Sequence, residues 1–109
     1  VEGAMRPGST FGDVFDAHAH ALEDAGMTRH RLNACGYSLG AHFTPCWMDR
    51  PMFYAGNPET VAENMTLFAH MIIMDSETGT AMTLGQTYLT TQDEPESLSA
   101  KPLDLIIAA

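Results

Sequence analysis

The stretch Met65-Thr66-Leu67-Phe68-Ala69-His70-Met71-Ile72-Ile73-Met74-Asp75 decides the fold class. It is apolar and rich in strand-favouring residues, and Ser76-Glu77-Thr78-Gly79 behind it has turn chemistry. Residues 80–84 and 86–91 then read as two short returning strands, with Gly85 as a bulge or bend between them. Upstream the period changes. Phe11, Val14, Phe15, His18, Leu22 and Ala25 recur at spacings of three and four, the stripe of a helix over residues 9–26. Asp13, Asp16, Glu23 and Asp24 occupy the opposite face. Ser9 or Thr10 can cap its start, and Gly26 can end it in the left-handed conformation. The expected architecture is α+β, a helix laid across an antiparallel sheet whose main strand is 65–75.

Between these elements, Arg29-His30-Arg31 leads into a short segment over residues 32–37. Residues 40–63 read as a loop, because Pro45, Pro51, Gly56, Asn57 and Pro58 break any long element. That loop also holds Phe43, Trp47, Met48, Met52, Phe53 and Tyr54. It is therefore expected to pack against its own sheet or a second subunit. Residues 92–109 read as a polar turn and an apolar tail over 103–109.

Composition excludes several roles. The chain has 109 residues, 45% of them hydrophobic, which suits one small domain or part of a larger one. Fourteen acidic residues against five basic ones give a formal net charge of −9. This balance argues against nucleic acid and against an anionic membrane surface, both of which need clustered Lys and Arg. The longest apolar run, Met71-Ile72-Ile73-Met74, is far short of a membrane span. Cys35 and Cys46 form no CxxC pair, so neither a disulfide scaffold nor a zinc knuckle is expected, and a reducing, cytoplasmic compartment fits best. The start at Val1 suits a segment preceded by more chain.

The order of parts resembles the C-terminal half of the creatinase/aminopeptidase fold, the pita-bread domain of the M24 peptidases. Arg6-Pro7-Gly8-Ser9-Thr10 before a helix ending in Glu23-Asp24-Ala25-Gly26 resembles the RPGxT…EAG helix of that family. Gly36-Tyr37-Ser38-Leu39-Gly40 resembles its GHxxG motif, read as a turn. Asn64-Met65-Thr66-Leu67-Phe68-Ala69-His70 resembles its GMxxxxE strand, and residues 84–91 (LGQTYLTT) its final xEDxxLVT strand. Residues 36–54 are similar to the branch holding Xaa-Pro peptidase-like proteins and bacterial dimethylsulfoniopropionate lyases. The resemblance implies that residues 1–109 form the C-terminal part of one catalytic domain. It further implies a short-peptide or small-molecule substrate, divalent metal in the intact parent, and a homodimer.

In the resembled family two metal ions sit among two Asp, one His and two Glu, and a bridging hydroxide is the peptidase nucleophile. The Asp pair lies upstream of the matching region. The family His falls on Tyr37, the first Glu on His70, the second Glu on Gly85, and a second His on Thr44. A His cannot bridge two ions as a carboxylate does, and Gly85 has no ligand atom. Metal is therefore not expected to be bound by this segment alone, with His70 its one ligand candidate.

Three residues stand as catalytic candidates: Tyr37, His70 and His42. For each the bland reading is structural. His70 sits among apolar strand residues and can be a hydrogen-bonded core histidine, or a pocket base or ligand. Tyr37 can pack or touch substrate, and the two are expected to lie together in one concave pocket. His42 can point into that pocket or be a loop residue. His18 and His20 lie two apart on a helix, on different faces, and cannot share a metal. His18 reads as a residue tolerated on the buried stripe. Cys46 lacks the His–acid partners a thiol nucleophile needs.

Overall fold

A computed structural model describes residues 1–108. Helix α1 spans Phe11–Asp24. Its start is set by Thr10, whose side-chain oxygen accepts from the Asp13 N–H at 3.1 Å while the Asp13 carboxylate accepts from the Thr10 N–H at 2.6 Å, a complete capping box. Two further N–H groups that a helix start leaves unpaired, those of Phe11 and Gly12, donate to the carbonyls of Glu59 and Asn57. At the other end Gly26 takes a φ of 69°. Its N–H donates to the Glu23 carbonyl and that of Met27 to Leu22, the paired bonds of a Schellman stop. A single 3-10 turn, Thr28–His30, follows.

The sheet has five strands, β1 Ala34–Ser38, β2 Asp49–Tyr54, β3 Thr66–Asp75, β4 Thr80–Leu89 and β5 Glu96–Ser97. Their spatial order is β2-β1-β3-β4-β5 and every neighbour pair is antiparallel. The α+β expectation, with residues 65–75 as the main strand, is met.

Three local readings are corrected. Residues 40–63 are not all loop, since β2 lies in their middle. Pro51 is tolerated there because β2 is an edge strand paired only with β1, and an edge leaves half its N–H groups without ladder partners. Residues 80–91 do not form two strands bent at Gly85. β4 pairs with β3 without a register break from Thr66↔Leu89 to Asp75↔Thr80. Gly85 is there for room, because a Cβ would stand 2.8 Å from the Phe68 ring tip. Residues 36–40 are not a turn: Gly36, Tyr37 and Ser38 finish β1 and pair with Ala69, Phe68 and Leu67. The polar segment before the tail also contributes β5, unforeseen because two residues carry no period. Within the tail, Ala109 lies outside the described residues.

The two faces of the sheet have different fates. Phe11, Val14 and Phe15 of α1 pack with Cys35, Phe53, Val61, Leu67, Ala69 and Tyr88 into one buried core, and Phe11 stacks on Phe53 at 5.0 Å. His18 is buried on the same stripe while His20 is exposed, as the two-residue spacing requires. Buried Thr90 ties the sheet's lower end, donating to the Ala62 carbonyl and accepting from the Met65 N–H. Phe68 and His70 alternate with Leu67 and Ala69 along β3, so they project from the face that α1 does not cover.

Candidate functional site

That uncovered face collects the residues of interest. His70 stands directly opposite Gly85 across the β3–β4 ladder, and Tyr37 stands opposite Phe68 across β1–β3. The Tyr37 and His70 rings meet edge-on, 6.0 Å between centroids at 80°. The Phe68 ring completes the cluster, 5.5 Å from Tyr37 and 5.1 Å from His70. Gly85 leaves the floor open beneath Phe68. Tyr37 is 4% exposed, whereas His70 is half-buried.

Tyr37 owes its position to Gly36. At a φ of 155°, Gly36 brings the chain so close to its neighbours that a Cβ would lie 2.5 and 2.8 Å from the Phe53 ring and would also strike the Phe68 carbonyl. Only glycine fits this approach. The strand then delivers Tyr37 to the uncovered face.

The phenol is not free. Trp47 Nε1 donates to Tyr37 Oη at 3.1 Å. Sequence reasoning placed Trp47 only in an apolar loop. The pair stand ten positions apart, Tyr37 on β1 and Trp47 beyond it, and no periodicity links them. Phe68 was also passed over as a site residue, although its two-residue spacing from His70 put it on the same face.

His42 is not brought to this cluster. It is exposed on the segment between β1 and β2, makes no hydrogen bond to Tyr37 or His70, and has Nε2 3.5 Å from Asp49 Oδ1. Nor do Tyr37 and His70 line any of three cavities among the described residues, of about 280, 380 and 350 Å³. These are lined instead by Met27, His30 and Met82, by Arg50, Tyr54 and Asn57, and by Met74, Ser76 and Gly79. His18 is a core residue: its burial, and next the nearby Arg31 charge, hold its pKa below the usual value. Burial likewise pushes the Cys35 thiol up to about 12.

The donor chemistry does not fit a two-metal centre. One imidazole, one phenol already engaged by an indole N–H, and one glycine cannot supply bridging carboxylates. Among the described residues no three His, Cys, Asp or Glu side chains come together in a way that could hold an ion.

The same helix and sheet recur in solved structures. Over 96% of its length the chain superposes on 27% of dipeptidase PepE from Mycobacterium ulcerans, with a TM-score of 0.85 and 23% identity. Over 97% it superposes on 29% of the prolidase from Pyrococcus horikoshii OT3, with a TM-score of 0.83 and 19% identity. The X-Pro aminopeptidase from Thermotoga maritima MSB8 gives 0.84 at 13% identity, over 98% of this chain and 29% of that one. The fold is the C-terminal portion of a pita-bread domain. A curated relative, the uncharacterised hydrolase/peptidase y4tM of Sinorhizobium fredii (strain NBRC 101917 / NGR234), is 29% identical over 104 residues, 95% of this chain and 26% of the relative. No family model matches the sequence. The chain thus spans about a quarter of the relative's length, 26%. Within the pita-bread frame, Tyr37, His70 and Gly85 are gathered on the uncovered face.

Proposed function

We propose that this chain is the C-terminal part of the catalytic domain of a peptidase-like hydrolase, in which the positions that hold metal in the resembled family have been replaced. The reading rests on one observation above all. His70 and Gly85, which match the two family Glu positions, face each other across one ladder with Tyr37 alongside. Such convergence is expected of an inherited site. The substrate class is a short peptide or similarly small molecule. Divalent metal belongs to the intact parent and is not held by this segment alone. The parent is a cytoplasmic homodimer.

On this reading Tyr37 and His70 are the groups that meet the substrate. The Tyr37 phenol can donate to a substrate oxygen, and the His70 imidazole can accept a proton. His42, paired with Asp49 at the rim, is the third candidate and bears on substrate entry rather than on proton transfer.

A second reading is favoured by the Gly85 position, which offers no group for chemistry: a binding homologue that keeps the face and has lost hydrolysis. Dipeptide hydrolysis and dipeptide binding, measured side by side, separate the two. The hydrolase reading expects turnover that falls at least tenfold in Tyr37→Phe and His70→Gln. Binding without turnover would establish the second reading, and neither would overturn both.

A further inference from the structure

We propose that Trp47 is a positioning residue for the uncovered face: its indole N–H, donated to the Tyr37 phenol oxygen, latches residues 40–48 at the sheet edge as a strap and leaves the phenol O–H to be given to an acceptor oxygen of a bound ligand. The proposal deepens the peptidase reading and rests on it for the ligand. An indole N–H can only donate, so the phenol oxygen must be the acceptor in the 3.1 Å contact. A phenol has one proton, and among the described residues no group accepts it. Tyr37 is otherwise enclosed, packed edge-on against Phe68 and His70, so its O–H has few directions left.

The strap is closed at its base. The Asp49 carboxylate, at the first residue of β2, accepts from the Ala41 N–H at 3.2 Å and has the His42 imidazole 3.5 Å away. Residues 41–49 therefore form a loop pinned on itself, and Trp47 is its polar tie to the site. Apart from that tie the strap's aromatics are weakly held, with Trp47 59% and Phe43 81% exposed. Losing one N–H would free the strap and release the phenol to rotate. The acceptor oxygen that fits is a carbonyl or carboxylate, the groups a short peptide carries.

Trp47 is the single tryptophan in the chain, so its indole N–H gives one resolvable side-chain resonance. In the folded wild-type chain that N–H should exchange with solvent at least tenfold more slowly than in the chain unfolded in urea. Tyr37→Phe keeps the ring and removes the acceptor, and should return exchange to the unfolded rate and shift the indole fluorescence to longer wavelength. Equal exchange rates in folded and unfolded wild type would overturn the latch without any variant. Dialanine is the ligand probe. Trp47→Phe should weaken its binding about tenfold, whereas Phe43→Ala, altering an aromatic the latch does not use, should leave it within twofold. A Trp47→Phe chain that binds dialanine like wild type would overturn the positioning role. Failure of wild type to bind dialanine would overturn the ligand clause, and the exchange rate alone would then decide the latch.

Discussion

Replacing Gly36 by alanine should be the most damaging single-methyl change in this chain. Two costs coincide there. The added Cβ would lie 2.5 Å from Phe53 Cδ2 and 2.8 Å from Cε2, and Phe53 is a fully buried ring stacked on Phe11, with nowhere to move. Overpacking of this kind costs about 1–3 kcal/mol. A side chain at a φ of 155° adds strain, also of about 1–3 kcal/mol. Together they predict a loss of about 4 kcal/mol, a large share of the roughly 5–15 kcal/mol that holds a domain folded. Two other glycines separate the terms. Gly40 has a φ of 126° with nothing within 4 Å of its added Cβ, so Gly40→Ala carries strain alone. Gly85 has no unusual φ, and its Cβ meets only the tip of the half-buried Phe68 ring, so Gly85→Ala carries a contact that can relax. Urea unfolding of the three variants, followed by circular dichroism, measures each loss. With a slope of about 2 kcal/mol per molar, Gly36→Ala should lower the midpoint by about 2 M, more than either control. A Gly36→Ala midpoint within about 0.5 M of wild type, a quarter of that shift, or above that of Gly40→Ala, would refute the claim that this close approach positions Tyr37.

Other outcomes follow from single environments. His18 has a folded pKa below its unfolded value, so the unfolded chain takes up a proton first as pH falls through about 6.5; stability should be fully present above that pH and decline below it, and His18→Leu should flatten the slope between about pH 7 and 5 in unfolding measurements. Cys35 is buried with its thiol pushed up to about 12 whereas Cys46 is exposed, so iodoacetamide at mildly alkaline pH should add one label, at Cys46, to the folded chain and a second only after unfolding. Phe43, Trp47 and the tail residues Leu105, Ile106 and Ile107, the last three 82–84% exposed, should drive self-association that sedimentation detects on raising the concentration. A cooperative, stable monomer at low micromolar concentration would instead mark a complete core and retract the half-domain view.

The sequence was most legible where structure is local. The α1 stripe, its Thr10 cap and its Gly26 stop are all encoded within a turn of one another, and the β3 run with its Gly79 turn sets the hairpin by itself. β2 was hidden because Pro51 signals a break, and only the edge position in the finished sheet makes that proline harmless. Gly85 looked like a bend because one strand cannot reveal a ring arriving diagonally from its neighbour; Phe68 supplies that ring. The breaker-rich residues 57–61 proved ordered because their carbonyls and N–H groups pair with residues 9–12 at the helix start. At the site, Tyr37 and His70 could be singled out through the family resemblance. The Trp47–Tyr37 bond could not, since a contact made by a loop depends on how that loop folds back. Of the two readings of His42 the loop one matches its exposed place between β1 and β2, and its neighbour Asp49 became visible only once β2 existed.

The most direct test of the account is the metal stoichiometry of the chain. Purified protein is equilibrated with manganese, cobalt or zinc, passed through gel filtration, and analysed for retained ion alongside His70→Ala. A face built from Tyr37, His70 and Gly85 should retain less than one ion per chain, and His70→Ala should change that little. One or more ions retained per chain, and lost in His70→Ala, would contradict the account and make this face a metal site.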